Sequence, residues 1–156
     1  MIRLFASEDE GACKDIAKRC LEETVDLDYK ARQYIINKFT KDGYWLLKAS
    51  TFPLYVYENS SQIVATGGLN INELKKMYVH PDWQGKDIGT EIINHLKNLA
   101  KKNNQQELFL YSWKSPVGFY EKKGFIFVRE FIHKEQEIKM PLVEMRYLLF
   151  KNNLVV

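Results

Sequence analysis

The sequence has few cysteines, few prolines, no long hydrophobic run and little excess of either charge. It contains 2 cysteines and 4 prolines in 156 residues, and no uninterrupted hydrophobic run exceeds four residues. A membrane-spanning helix needs about 18 apolar residues in succession, so no membrane partner is predicted. Lys and Arg total 23 against 20 Asp and Glu, a balance that does not indicate a nucleic-acid partner.

The cysteines and histidines are too scattered for a disulfide or a metal site. Cys13 and Cys20 fall on one predicted helix, about 10 Å apart along its axis and beyond disulfide reach. We interpret both as core thiols, because free cysteine usually packs as a small hydrophobe. His80, His95 and His133 lack the companions that a zinc site requires, so no metal is expected.

The length and composition indicate an ordinary globular protein. We expect one domain over residues 1–156, because chains of this length usually form one. A content of 46% hydrophobic and 28% charged residues is typical of folded rather than disordered chains. The first ten residues become acidic where a secretory signal needs an apolar stretch. A cytoplasmic location is therefore expected.

Hydrophobic periodicity predicts a mixed α/β order of elements. The predicted strands are 2–5, 54–57, 62–69, 73–79, 107–111, 125–128 and 143–150, and the predicted helices are 12–21, 29–39, 88–100 and 116–123. Residues 44–52 are ambiguous between a short helix and extended chain, and the polar stretch 129–139 is expected to join the last two strands. Residues 151–156 form a tail whose order the pattern does not define. Strands clustered around helices predict a layered α/β domain.

One glycine-bearing loop, residues 79–90, lies between a predicted strand and a predicted helix. Unpaired N–H groups at a helix N-terminus form an anion site, and Gly85 and Gly89 would let a ligand approach the backbone. A tight connection without a ligand is the alternative. The loop matches neither the P-loop nor the Rossmann glycine pattern, which excludes two nucleotide-binding signatures.

Two motifs in this region resemble those of the GNAT superfamily of N-acetyltransferases. The first reads Val79-His80-Pro81 followed by Gln84-Gly85-Lys86-Asp87-Ile88-Gly89, and the second reads Phe119-Tyr120-Glu121-Lys122-Lys123-Gly124-Phe125. The resemblance covers residues 2–150, with its specific part between Glu73 and Phe125. It implies a central, mostly antiparallel mixed sheet, flanked by helices, in which two middle strands splay apart. It also implies acetyl-CoA as cosubstrate and direct transfer of acetyl to an amine.

The resemblance also implies a set of cofactor-binding residues. The N–H of Met77 would hydrogen-bond the thioester carbonyl, and the diphosphate would lie on the amides of 84–90. The full expected set is Met77, Tyr78, Val79, Gln84, Gly85, Lys86, Asp87, Ile88, Gly89, Thr90 and Trp113.

Two residues are expected to be catalytic by the same resemblance. Tyr120 matches the tyrosine that protonates the departing thiolate, although it could instead be a packing residue beside Phe119. Glu73 matches a glutamate that deprotonates the incoming ammonium in some relatives, although it could instead be a structural carboxylate. Direct transfer of the acetyl group needs no nucleophilic side chain, and the sequence contains no nucleophile elbow.

The sequence departs from the family pattern at Asp87 and Trp113. The family usually has glycine at the position of Asp87, and a carboxylate there would repel phosphate unless it turns outward or caps the helix. Trp113 replaces a small polar residue, so it either covers the pantetheine or forms part of the rim.

The sequence alone does not identify the acceptor amine. We expect a small molecule, with a protein N-terminus as one alternative and a non-catalytic acyl-CoA sensing module as another. Aromatic residues between Tyr29 and Phe52 are candidates for the acceptor pocket or for the core. The basic pair Lys75-Lys76 is interpreted as part of a solvated face. The last strands are a frequent dimer contact in relatives, so a homodimer is compatible with the resemblance.

Overall fold

The computed structural model describes residues 1–150, and the predicted tail at 151–156 lies outside them. The described elements, in chain order, are β1 (Ile2–Leu4), α1 (Glu10–Glu23), α2 (Tyr29–Phe39), α3 (Tyr44–Thr51), β2 (Leu54–Asn59), β3 (Gln62–Asn70), β4 (Glu73–Val79), α4 (Ile88–Lys102), β5 (Glu107–Ser112), α5 (Val117–Lys122), β6 (Ile126–Glu135) and β7 (Ile138–Leu148). They form a mixed α/β fold around a single sheet, as the sequence predicted.

The seven strands lie in the order β1-β2-β3-β4-β5-β7-β6. All neighbours are antiparallel except β4 and β5, which are parallel. β4 and β5 are paired only where Glu73 lies opposite Phe109, whereas β5 and β7 are paired along all of β5. The two central strands therefore separate after Glu73 and leave a gap in the sheet, which confirms the splayed arrangement.

The sheet separates two hydrophobic clusters. Leu54 and Val56 of β2 contact the cluster beneath α1, α2 and α3, and the alternate residues Tyr55 and Tyr57 contact the cluster beneath α4. This alternation follows from the two-residue period of a strand. α4 is held by one buried stripe: Ile88, Ile92, Ile93, Leu96 and Ala100.

A β-bulge distorts β4 beside the gap. Thr66 pairs with Tyr78 and Gly68 pairs with Lys75, so both Lys76 and Met77 lie opposite Gly67. Lys76 has a positive φ of 57°. A Cβ on Gly67 would lie 2.7 Å from Met77 Sδ and 2.5 Å from Ile92 Cγ2. Glycine is therefore needed at position 67 for close packing. The bulge also changes the directions of two consecutive side chains of β4, those of Lys76 and Met77.

The ambiguous segment 44–52 forms helix α3, whose N-terminus is capped by a distant side chain. Glu10 of α1 accepts hydrogen bonds from the backbone N–H groups of Gly43, Trp45 and Leu46 at 3.1, 3.0 and 3.2 Å. A carboxylate is favourable at this end of a helix because it pairs with the free N–H groups and the helix dipole. Tertiary structure thus settles a choice that the local sequence left open.

The expectation that 129–139 is a connection between strands is wrong. Those residues complete β6 and begin β7, which form a long hairpin from Ile126 to Leu148. β6 is the edge strand, so its side chains are exposed on both faces and the polar sequence carries no buried stripe. At its tip, Glu135 accepts hydrogen bonds from Tyr34 Oη at 2.7 Å and Lys38 Nζ at 3.0 Å, which tie the hairpin to α2.

Both cysteines are free thiols, but only one belongs fully to the core. Cys13 is completely buried. Cys20 is half-buried and its Sγ donates a hydrogen bond to Val79 O at 3.1 Å, so it links α1 to the end of β4. Burial raises the pKa of each thiol to about 12, which keeps both protonated near neutral pH.

Among the helices of residues 1–150, none combines the length and the apolar character that a membrane-spanning helix requires.

Candidate active site

The loop between β4 and α4 has the backbone geometry of an anion cradle. Gly85 and Asp87 have positive φ angles of 77° and 63°, and these turn the chain into the first turn of α4. Gln84 closes the loop because its Nε2 donates to Val79 O at 3.0 Å. Residues 84–87 are exposed. The first N–H groups of α4 have no partner within the helix, so this face is suited to phosphate.

Asp87 occupies this conformation without capping the helix. Its side chain is exposed and makes no capping hydrogen bond to α4. Aspartate tolerates the left-handed region better than most residues, although glycine adopts it without a steric cost. Of the two arrangements that would spare a phosphate, capping of the helix is therefore absent from the structure.

Gly89 joins the two sequence motifs. A Cβ at this position would lie 3.0 Å from Phe119 Cζ and 3.5 Å from Val79 Cγ2. The first turn of α4 therefore packs closely against α5 and the end of β4. This contact brings the loop of the first motif next to the Phe119-Tyr120 pair of the second.

Tyr120 is held as a buried, neutral phenol. Its ring packs edge-on against Phe119 and Phe125, with centroids 5.3 and 5.8 Å away. Its backbone N–H donates to Pro116 O at 3.2 Å, and its carbonyl accepts from the N–H of Phe125 at 3.1 Å. Burial raises the pKa of Tyr120 above that of an ordinary phenol, so the phenol stays protonated throughout the physiological range.

The other expected site residues on β4 have distinct environments. Tyr78 packs 6.3 Å from Phe39 and 6.4 Å from Trp45 between ring centroids. Burial, with smaller contributions from Tyr44, Cys20 and Tyr120, raises the pKa of Tyr78. Val79 contacts the α4 cluster. The side chains of Tyr78 and Val79 therefore serve packing, and the carbonyl of Val79 is already engaged by Cys20 Sγ and Gln84 Nε2.

Glu73 lies at the point where β4 and β5 part. It is half-buried, and burial raises its pKa while Lys75, 3.8 Å away, opposes the rise. A carboxylate with a raised pKa is a better proton acceptor at neutral pH than an exposed one. The geometry is compatible with both interpretations of Glu73.

Trp113 follows β5 on the other side of the gap. It is half-buried and packs against the cluster beneath α1, α2 and α3. Its carbonyl accepts a hydrogen bond from Ser112 Oγ at 2.7 Å. The indole therefore lies on the face of the sheet that packs against α1, α2 and α3.

The sequence interpretation of Lys76 as part of a solvated face is wrong. Its Nζ lies 3.8 Å from the centre of the Phe39 ring and 5.0 Å from that of Tyr44. Burial, together with repulsion from nearby lysines, lowers its pKa to about 7. In a regular strand, the side chains of residues 75 and 76 point to opposite faces of the sheet. The bulge opposite Gly67 breaks this alternation, so the sequence pattern alone does not place Lys76 beside the aromatic rings.

The aromatic residues of α2 and α3 divide between core and surface. Phe39, Trp45 and Phe52 are buried, so the core interpretation is confirmed for these three. Tyr44 is half-buried beside Lys76, and Tyr29 is 74% exposed. Tyr34 is also half-buried, but its hydroxyl is bonded to Glu135, so Tyr44 has the environment of a pocket residue.

Comparison with known proteins relates the chain to one family. A family model described as an acetyltransferase (GNAT) domain matches residues 13–149. The chain is 26% identical to an uncharacterized N-acetyltransferase of Methanocaldococcus jannaschii over 133 residues, or 72% of this chain and 59% of that protein. It is 26% identical to glucosamine 6-phosphate N-acetyltransferase of Candida albicans over 95 residues, or 53% of this chain and 64% of that enzyme. The matches thus span less than two thirds of the length of these relatives.

Solved structures share the fold along nearly the whole chain. A GCN5-related N-acetyltransferase from Rhodopseudomonas palustris has a TM-score of 0.87 at 20% identity, covering 95% of this chain and 94% of that chain. The PaiA N-acetyltransferase of Thermoplasma acidophilum, solved with coenzyme A, has a TM-score of 0.76 at 18% identity, covering 95% and 98%. These identities establish the fold. Because the family model covers most of the sequence, the chain belongs to the GNAT acetyltransferase family.

Proposed function

We propose that the protein transfers an acetyl group from acetyl-CoA directly to the primary amine of a small molecule. The observation that carries the proposal is the exposed turn formed by Gly85 and Asp87 at the start of α4, packed through Gly89 against the Tyr120 motif. A Cβ on Gly85 would meet nothing within 4 Å, so the loop is open to a ligand. Residues 84–90 would hold the diphosphate, and Lys86 would add a positive charge.

The thioester supplies an activated acetyl group, and the residues of this chain manage the protons and the developing charge. The N–H of Met77 at the bulge donates to the thioester carbonyl as negative charge grows on its oxygen. Glu73 takes the proton that leaves the ammonium, and Tyr120 gives a proton to the departing thiolate. Orientation of the two substrates in the gap between β4 and β5 supplies the remaining rate enhancement.

Calorimetry with acetyl-CoA, CoA and dephospho-CoA tests the first step. We expect micromolar binding of acetyl-CoA, followed by release of free thiol when a panel of small amines is added. Binding without thiol release for any amine would favour the sensing module. If none of the three compounds binds, the protein has kept the fold of the family but has lost the ability to bind the family's cosubstrate.

Replacing Asp87 with glycine is expected to tighten acetyl-CoA binding by about three- to tenfold, because it removes a negative charge close to the diphosphate. Asp87→Asn is the matched control for the charge, since asparagine also tolerates a positive φ. Both variants should bind more tightly than the parent, and the gain should shrink as salt is raised. A gain confined to Asp87→Gly would assign the effect to backbone strain, and no gain in either variant would contradict the prediction.

The role of Glu73 is tested by the pH dependence of kcat. Because burial raises the pKa of Glu73, the rate should fall with decreasing pH at values above those of an ordinary carboxyl group. Glu73→Gln should lower kcat by at least about tenfold and abolish this acidic limb. If Glu73→Gln retains the limb, Glu73 is a structural carboxylate.

A further inference from the structure

We propose that the acceptor amine carries an anionic group, a carboxylate or a phosphate, which binds between the ammonium groups of Lys48 and Lys76 beside the Tyr44 ring. The inference deepens the proposed function, on which it rests. It is carried by the placement of charged groups on the face of β4 that is covered by α2 and α3.

Lys76 stands next to the proposed reaction centre. It precedes Met77 in the bulge of β4, and consecutive Cα atoms are about 3.8 Å apart. Its side chain extends over Phe39 and beside Tyr44, so its ammonium lies on the face of β4 that residues of α2 and α3 contact. A group bound to Lys76 would therefore be held within the length of a small molecule from the Met77 N–H.

Six charged side chains converge on this face, and the cations outnumber the anions. They are Lys38 of α2, Lys48 of α3, Glu73, Lys75 and Lys76 of β4, and Glu135 of β6. Lys38 pairs with Glu135 at 3.0 Å, and Lys75 pairs with Glu73 at 3.8 Å. Glu135 is further occupied by the Tyr34 hydroxyl and lies 3.6 Å from His133 Nε2. Both carboxylates are thus already engaged.

Lys48 and Lys76 are the lysines left without a carboxylate. Within residues 1–150, neither has an acidic oxygen within 4.0 Å. Both approach the ring of Tyr44 instead, with Nζ 5.2 and 5.0 Å from its centre. A cation over an aromatic ring recovers only part of the hydration that it loses. An anion bound between the two ammonium groups would offset the rest of the hydration that Lys48 and Lys76 lose.

The same charges discriminate between classes of acceptor. A polyamine would bring a second ammonium toward Lys48 and Lys76 and would be repelled. An amino acid or an amino sugar phosphate would present its amine together with an anionic group, and charge-assisted hydrogen bonds to lysine suit either anion. The cluster therefore favours zwitterionic or phosphorylated amines over polycations.

Matched acceptor pairs test the proposal. One pair is an amino acid and its amide, and the other is an amino sugar phosphate and the unphosphorylated sugar, so the two pairs distinguish carboxylate from phosphate. We expect the anionic member of at least one pair to have a kcat/KM at least about tenfold higher. Lys48→Gln and Lys76→Met should remove most of that preference, while the exposed Lys101→Gln should retain it. Equal use of both members, or preference for the neutral member, overturns the proposal.

The carboxylate pair also gives a pH test. Because the pKa of Lys76 is about 7, its positive charge is present below that pH and lost above it. The preference for the amino acid over its amide should therefore decline as the pH rises through about 7, and this decline should be absent in Lys76→Met. Lys38, Lys75, Glu73 and Glu135 also face this site and remain in the variant, so a decline that persists would assign the effect to them and count against Lys76.

A titration with inorganic phosphate tests the site without turnover. At constant ionic strength, phosphate should shift the backbone amide resonances of Tyr44, Lys76 and Met77 saturably in the parent, and much less in Lys48→Gln. Shifts that are the same with chloride, or unchanged by Lys48→Gln, would contradict the anion site. If acetyl-CoA fails to bind while phosphate still does, the proposed function fails and the anion site stands.

Discussion

Tyr120→Phe is expected to reduce the rate of acetyl transfer by about 100-fold or more, the usual contribution of a positioned general acid. The dissociation constant of acetyl-CoA should stay within about twofold of the parent value, since removal of one hydroxyl leaves the ring and its packing in place. The physical reason is the environment of the phenol. Its ring is fixed between Phe119 and Phe125, and burial keeps it protonated, so it can supply the proton that the departing thiolate needs.

Tyr55→Phe is the matched control for this experiment. Tyr55 lies on β2, where its ring packs 4.5 Å from His95 between centroids, and it belongs to no part of the proposed site. Single-turnover rates and calorimetry of both variants separate chemistry from binding. Loss of acetyl-CoA affinity in Tyr120→Phe, with no separate loss of rate, would show that Tyr120 supports the site by packing alone.

The parts of the site that depend on local backbone could be predicted from the sequence. Gly85 and Gly89 are recognisable because a turn with a positive φ and a close helix contact each demand glycine. The Phe119-Tyr120 pair is recognisable because it belongs to a motif of fixed spacing between Phe119 and Phe125. The turn at Gly85 and the spacing of each motif depend only on neighbouring residues. The exception is the contact between Gly89 and Phe119, which joins the two motifs.

The parts that depend on distant partners could not be predicted. Helix α3 receives its N-terminal cap from Glu10, more than thirty residues earlier, so its own sequence contains no start signal. The β6–β7 hairpin is held by edge pairing and by the bonds of Glu135 to α2. Lys76 reaches the aromatic rings only because β4 bulges opposite Gly67. In each case, tertiary structure overrides the local pattern.

Trp45 links the stability of the fold to the proposed acceptor site. It is fully buried, and its indole N–H donates to Phe39 O at 2.9 Å. Its ring packs edge-on against Tyr44 and Tyr78, with centroids 6.0 and 6.4 Å away. Trp45 thus packs against Tyr44, one of the two rings beside Lys76, and against Tyr78 of β4, and it holds the backbone of Phe39, which carries the other ring.

Trp45→Ala should therefore lower the free energy of unfolding by about 3–5 kcal/mol, through lost burial and the cavity that remains. That is a large share of the roughly 5–15 kcal/mol that stabilises a typical domain, and it should appear in chemical denaturation with an unchanged m-value. Trp45→Phe should cost less, because it keeps most of the ring but leaves Phe39 O without its donor. Leu47→Ala, on the same helix but 61% exposed, should cost less than either. If Trp45→Ala and Leu47→Ala were equally stable, α3 would not be anchored through Trp45, and the aromatic support beneath Lys76 would have to come from Phe39 and Tyr78 alone.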